Sequence, residues 1–171
     1  MSGREGPIRG SRGIDHIGFT VPDLRAATEF LIEVLGCEYM YTLGPYEDRS
    51  GTWMTDHLGV HKDAVMRSLN FLRCGPVTLE VFQYESPEQN PVQPRNSDIG
   101  GHHLALYVDD LDAAVEQLGR HGVDVFEGPT ASKGPSEGQR WIYFTSPWGM
   151  QFELVSYPGG KAWDKQREEQ G

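Results

Sequence analysis

The chain has 171 residues, of which 37% are hydrophobic and 11% aromatic, and its formal net charge is −10. This length suits one ordinary domain or two small modules, while the negative charge argues against a nucleic-acid partner. The sequence contains no run of about 18 apolar residues, so no membrane-spanning helix is predicted. The first residues lack the apolar stretch of a secretory signal. The two cysteines, Cys37 and Cys74, form no C-x-x-C motif. We therefore expect a cytoplasmic protein.

The first half of the chain begins with a strand pattern and continues with a helix pattern. Ile17, Phe19 and Val21 are separated by single residues, which is the spacing of a strand with one buried face. Asp23 is suited to cap the helix that follows, and Gly36 is suited to end it. Three further strands are predicted at residues 39–42, 69–73 and 77–84.

Residues 46–67 are the surplus of the first half relative to the second. Glycines punctuate this segment as a loop, yet Trp53, Met54 and Leu58 are too apolar for a purely solvated one. We predict a lid that folds over the site, excludes water and shapes substrate choice. The alternative is that the segment packs on the outside of the sheet or against a dimer partner.

The second half repeats these elements. A strand pattern starts at His103, Asp110 is the candidate helix cap, and Gly122 follows the helix. The remaining strands are predicted at residues 123–126, 141–145 and 150–157.

The predicted fold is α+β and consists of two tandem βαβββ modules that form a cupped mixed β-sheet around a metal site. The modules are expected at residues 14–84 and 101–157, joined by a linker at 85–100 that carries three prolines among polar residues. Flexible tails are expected at residues 1–13 and 158–171.

The repeat supplies one histidine and one glutamate in each copy. Residues 15–24 align with residues 102–111, and residues 79–82 align with residues 152–155. Since side chains in a strand alternate between faces, four residues are predicted on the faces that the helices leave uncovered. These are His16, Glu80, His103 and Glu153.

Two imidazoles and two carboxylates form a mixed donor set that suits a divalent Ni, Co, Zn, Mn or Fe ion. Such an ion polarises a carbonyl group and stabilises a developing enolate. A glutamate beside it can take the C–H proton, so Glu80 and Glu153 are also candidate catalytic bases. The pattern leaves open whether Glu80 is a ligand or a base.

Aromatic residues are predicted to line the cavity. Trp141 and Tyr143 are separated by one residue and therefore share a strand face. Together with Phe82, Tyr107 and Trp53, they favour a substrate with apolar or aromatic character. The alternative is that they are core aromatics.

With these residues in place, the chain resembles the vicinal oxygen chelate superfamily, which includes glyoxalase I, methylmalonyl-CoA epimerase, extradiol dioxygenases, fosfomycin-resistance enzymes and bleomycin-binding proteins. The resemblance is carried by residues 15–19, 101–110 and 143–154. It implies paired βαβββ modules with a metal ion in the cup. The usual Asp-Pro-x-Gly-Asn turn of the family reads Ser-Pro-Trp-Gly-Met at residues 146–150.

A His/Glu pair in each module is the pattern of glyoxalase I-like members. The resemblance therefore implies an isomerase, epimerase or lyase that moves a proton next to a carbonyl through a metal-chelated enediolate. An Fe(II)-dependent ring-cleaving dioxygenase is the first alternative, and a metal-free binding or antibiotic-resistance protein is the second. No signature indicates glutathione or coenzyme A. Exposed sheet edges and the resemblance both predict a homodimer.

Overall fold

A computed structural model describes residues 8–170 of the chain. The chain divides into two compact units, with the division between Gln89 and Asn90, inside the segment expected to be a linker. The fold is α+β, as predicted, and each unit has its own four-stranded mixed sheet. No helix within residues 8–170 is long and apolar enough to cross a membrane. Residues 1–7 of the tail expected at residues 1–13 lie outside the described residues.

The first unit is a βαβββ module with one additional short helix. Its sheet has the order β1-β4-β3-β2, in which β1 runs parallel to β4 and the other neighbours are antiparallel. The elements are β1 (His16–Thr20), α1 (Leu24–Glu33), β2 (Glu38–Leu43), α2 (Trp53–Leu58), β3 (Val65–Cys74) and β4 (Val77–Glu85).

The second unit repeats this architecture, which confirms the predicted duplication. Its sheet has the order β5-β8-β7-β6, and β5 again runs parallel to β8. The elements are β5 (His103–Tyr107), α3 (Leu111–Arg120), β6 (Thr130–Ala131), a short 3-10 helix (Gly134–Ser136), β7 (Arg140–Thr145), β8 (Gln151–Ser156) and α4 (Ala162–Gln170).

The same cap starts the long helix of each unit. The Oδ1 atom of Asp23 accepts a hydrogen bond of 3.0 Å from the backbone N–H of Ala26. Asp110 accepts the equivalent bond of 3.0 Å from Ala113. Each aspartate thereby satisfies one of the backbone donors that a helix start leaves without a partner, so both predicted caps are confirmed.

The faces of the central strands alternate as predicted. In β4, Leu79 and Val81 are 4% and 0% exposed, whereas Glu80 between them lies on the opposite face. In β8, Phe152 and Leu154 are 1% and 4% exposed and bracket Glu153 in the same way. This alternation places both glutamates on the side of their sheet away from the buried aliphatic and aromatic side chains.

The strand predicted at residues 123–126 is wrong. In this segment Val125 makes one isolated bridge with Phe144, and the regular strand β6 begins only at Thr130. Gly128 has a φ of +153°, and Pro129 after it has no N–H to donate to a ladder, so the pairing breaks before it resumes.

The flexible tail expected at residues 158–171 is also wrong for most of its length, because α4 occupies Ala162–Gln170. The N–H of Ala162 donates to the carbonyl of Glu137 over 2.8 Å. Beside it, a Cβ atom on Gly138 would lie 2.5 Å from the carbonyl oxygen of Gly160, so the backbones meet closely. A polar helix held by such contacts has no apolar period that would reveal it in sequence.

The segment 46–67 differs from a simple loop. It contains the helix α2, which begins at Trp53 and ends at Leu58 before Gly59, and its last three residues already belong to β3. Met54 is 0% exposed and fixes the helix to the first unit, whereas Trp53 is 49% exposed.

Candidate functional site

The first histidine–glutamate pair is formed by the parallel strands β1 and β4. In this ladder His16 lies opposite Thr78, and Gly18 lies opposite Glu80. The two functional side chains therefore share a face, and the Nε2 atom of His16 lies 3.5 Å from the Oε2 atom of Glu80. The register of the strands brings together residues that are far apart in sequence.

The second pair has the same construction on β5 and β8. Ala105, two residues after His103, lies opposite Glu153. The Nε2 atom of His103 is 3.1 Å from the Oε2 atom of Glu153. Glu153 is 8% exposed, which is unusual for a glutamate and requires a polar partner such as this imidazole.

The other ring nitrogen of each imidazole, Nδ1, lies within hydrogen-bonding distance of an oxygen acceptor. The Nδ1 atom of His16 lies 2.9 Å from a carboxylate oxygen of Asp15, and that of His103 lies 3.2 Å from the amide oxygen of Asn96. Because an oxygen of this kind accepts a hydrogen bond, each contact favours a proton on Nδ1 and fixes the orientation of its ring. The hydrogen bond that His16 makes to the carboxylate of Asp15, followed by the charge of Glu80, raises the pKa of His16.

Asn96 reaches His103 through a tight turn inside the segment expected to be a linker. The N–H of Asp98 donates to the carbonyl of Arg95 over 2.9 Å, and the N–H of Gly101 donates to the carbonyl of Asp98 over 2.7 Å. A Cβ atom on Gly101 would lie 2.1 Å from the Arg95 carbonyl oxygen, so only glycine fits there. Sequence reasoning missed Asn96, although the Asp and Gly residues around it are turn signals.

A tyrosine accompanies each glutamate. Tyr143 lies opposite Glu153 in the β7–β8 ladder and packs edge-on against the His103 ring, with centroids 5.1 Å apart. Burial, followed by the charge of Glu153, raises the pKa of Tyr143, and Glu80 has the same secondary effect on the pKa of Tyr84. Both phenols therefore keep their protons and remain hydrogen-bond donors at neutral pH. Tyr84 was not predicted.

The predicted pocket aromatics fall into separate groups. Trp141 contacts Tyr143 with centroids 5.1 Å apart, and Phe82 stacks on Tyr84 at 5.6 Å, so these side chains accompany the second and first pairs respectively. The two others make ring contacts elsewhere, Tyr107 edge-on with Tyr157 at 4.9 Å and Trp53 stacked on His57 at 4.9 Å.

The donor chemistry of both pairs fits a divalent metal ion. Imidazole nitrogen and carboxylate oxygen are suitable ligands for first-row ions, and a second oxygen behind each imidazole is the usual support of a metal-ligating histidine. Among residues 8–170, neither unit contains a group of three or more His, Cys, Asp or Glu side chains that could hold a metal ion. The four-ligand site of His16, Glu80, His103 and Glu153 thus stays a prediction.

The sequence matches the profile of the Glyoxalase/Bleomycin resistance protein/Dioxygenase superfamily over residues 15–144. A protein of Actinomyces sp named 2-epi-5-epi-valiolone epimerase is 48% identical over 171 residues, which cover 98% of this chain and 91% of that protein. The uncharacterised protein YaeR of Escherichia coli (strain K12) is 28% identical over 85% of this chain and 96% of its own length.

Solved structures share the fold. A glyoxalase family protein from Enterococcus faecalis has a TM-score of 0.59 at 22% identity and covers 85% of this chain and 98% of its own. The fosfomycin resistance protein FosX from Listeria monocytogenes has a TM-score of 0.54 at 20% identity, covering 85% of this chain and 93% of its own. The tandem βαβββ architecture is thus found in known structures.

Proposed function

Because this chain belongs to the glyoxalase/bleomycin resistance protein/dioxygenase superfamily, we propose that it is an epimerase that inverts a stereocentre next to the carbonyl of a small hydroxyketone. The observation that carries the proposal is the repeated His–Glu pair, with Nε2–Oε2 distances of 3.5 Å and 3.1 Å. The 48% identity to 2-epi-5-epi-valiolone epimerase supports the reaction type, and the name of that relative denotes a ketone.

Epimerisation requires a proton to leave one face of a carbon atom and another to arrive on the opposite face. The chain offers one carboxylate for each task, Glu80 in the first unit and Glu153 in the second. A carboxylate is an acceptor when ionised and a donor when protonated, so either residue can perform either step. We propose that the two glutamates exchange these roles according to the direction of the reaction.

The histidines and tyrosines have supporting roles in this proposal. His16 and His103, with both glutamates, would hold a divalent Ni, Co, Zn, Mn or Fe ion, which when bound makes the proton next to the carbonyl more acidic. The protonated phenols of Tyr84 and Tyr143 would donate hydrogen bonds to substrate oxygens and orient the ketone. Glu80 beside His16 favours proton transfer over ring cleavage, because the superfamily's dioxygenases use one glutamate.

We propose that the protein acts in the cytoplasm. Both cysteines are free thiols, as is usual for proteins in a reducing compartment.

The test is proton exchange with solvent. The purified protein, loaded in turn with each divalent ion, is incubated in D2O with 2-epi-5-epi-valiolone, and NMR follows deuterium entry next to the carbonyl. The parent should incorporate deuterium and form the epimer, while Glu80→Gln and Glu153→Gln should each slow exchange by about 100-fold or more. Glu33→Gln, at the exposed end of α1, is the matched control and should exchange as the parent does.

Metal content then separates the two roles of Glu80. Loss of exchange with the metal retained identifies a base, and loss of both identifies a ligand. A parent protein that binds the ketone but neither exchanges nor epimerises it with any of the five metals would refute the proposed function.

A further inference from the structure

The two cysteines face each other across the outer ladder of the first sheet. Cys37 directly precedes β2, and Cys74 is the last residue of β3. These strands are antiparallel, and Glu38 pairs with Arg73. One step further along both strands brings Cys37 opposite Cys74. Directly opposed residues of such a ladder have Cα atoms about 4.5–5.5 Å apart, which lies within the range that a disulfide requires.

The two thiols have different environments. The interaction between the two thiols lowers the pKa of Cys74 and, together with burial, raises the pKa of Cys37. Cys37 is 3% exposed, whereas Cys74 is half-buried. Cys74 thus combines access with a stabilised thiolate, the two properties of a reactive cysteine.

We propose that Cys37 and Cys74 form a modification site that exchanges with low-molecular-weight disulfides of the glutathione type. The Cys74 thiolate attacks one sulfur of the reagent, which forms a mixed disulfide and releases the first small thiol. Cys37 then attacks the Cys74 sulfur, displacing the second small thiol and closing the internal disulfide. One reagent disulfide is reduced to two thiols, which take up the two protons of the oxidised cysteines.

The internal disulfide would fasten the start of the edge strand β2 to the end of β3. As the edge strand, β2 pairs within its sheet with β3 alone. The start of β2 is held by that ladder and by the hydrogen bond from the N–H of Cys37 to the carbonyl of Leu31. A cross-link there restricts the unfolded chain and keeps the edge strand in register.

The experiment incubates the full chain at pH 7 with oxidised glutathione, followed by mass spectrometry and peptide mapping. The parent should lose two hydrogens, yield a linked Cys37–Cys74 peptide and gain several degrees in Tm. Cys37→Ser should instead accumulate a stable glutathione adduct at Cys74, and Cys74→Ser should form neither product nor gain in Tm. Adducts on Cys37, disulfides between chains, or no reaction of the folded parent would overturn the proposal.

Alkylation of the parent provides a measurement that does not depend on how the variants fold. Iodoacetamide should modify Cys74 well before Cys37, and its pH profile should lie below that of a free cysteine peptide. Equal labelling of both cysteines, or a profile at or above that of the peptide, would contradict the assignment of Cys74 as the attacking thiol.

Discussion

The acceptors behind the two imidazoles differ in charge. His16 is supported by the carboxylate of Asp15, its neighbour in sequence, whereas His103 is supported by the neutral amide of Asn96. A carboxylate makes an imidazole a stronger electron donor than an amide does. The two pairs are therefore related in geometry but differ in electrostatics.

Asn96→Ala is predicted to weaken metal binding, because the His103 ring loses the acceptor that fixes its tautomer and orientation. Loss of such a support typically costs about 10–100-fold in metal affinity. Asn96→Asp should recover most of it, since a carboxylate oxygen can accept the same bond. Competition with a chromophoric chelator measures the affinity, and Tm checks the fold.

The matched control for this change is Asn90→Ala. Asn90 lies in the same segment, and its side chain accepts a hydrogen bond from the N–H of Val92. It should leave the affinity as in the parent. A parent-like affinity for Asn96→Ala, or no recovery in Asn96→Asp, would show that Asn96 does not position His103.

Part of the candidate site could be predicted from the sequence because a duplicated module repeats its functional residues at the same register. The face of Glu80 and Glu153 follows from strand alternation, which is a local property. Asn96 could not be predicted, since its contact with His103 depends on the close approach of Gly101 to the Arg95 carbonyl. Such an approach is visible only once the chain is folded.

Among the elements, α2 presents an aromatic surface on a fixed base. Met54 is fully buried, while Trp53 and Leu58 are 49% and 41% exposed. The helix ends at Gly59, whose φ of +66° suits a residue without a side chain. An exposed tryptophan on a well-anchored helix is suited to contact a ligand rather than to stabilise the fold.

Trp53→Ala is predicted to raise KM or alter substrate preference, while metal content and Tm stay close to those of the parent. The reason is that Trp53 is about half exposed and its ring contact is with His57 on the same helix. Steady-state kinetics and thermal melting make the comparison. Met54→Ala is the contrasting variant and should lose about 2–5 kcal/mol of stability, because it leaves a cavity. A strong loss of Tm in Trp53→Ala would show that α2 is structural and not a lid.

The elements that sequence reasoning placed wrongly share a cause. The position of β6 depends on the break at Gly128 and Pro129, and α4 depends on the contact of Ala162 with Glu137. Neither element has a periodic pattern of apolar residues in the sequence, whereas α1 and α3 are recognisable from their caps and from an apolar face. Periodicity therefore predicts the elements that bury a face and misses those held by backbone contacts.

For the whole molecule, the outer strand of the first sheet is the most apolar exposed edge among the described strands. Along β2, the side chains of Tyr39, Met40, Tyr41 and Leu43 are between 38% and 51% exposed. An exposed apolar edge strand is a template for pairing with another chain. We expect a second copy of this protein to cover it.

A homodimer is therefore predicted at micromolar concentration, measured by light scattering. Met40→Lys should shift the population toward monomer, because a buried lysine on a sheet edge opposes pairing. Val92→Lys, a change at a residue that is 70% exposed in the segment between the modules, is the matched control and should stay dimeric. A monomeric parent would refute the dimer, and a dimeric Met40→Lys would place the interface elsewhere.

The parallel pairing of the first strand of each unit with its last has a consequence for synthesis on the ribosome. β1 leaves the ribosome first, and its partner β4 starts only at Val77, so β1 waits with unpaired backbone groups for several seconds at about 5–20 residues per second. The same delay recurs between β5 and β8. His16 meets Glu80 only in the step that closes the sheet, so a nascent chain that stalls before that step carries an open strand edge and a histidine without its glutamate.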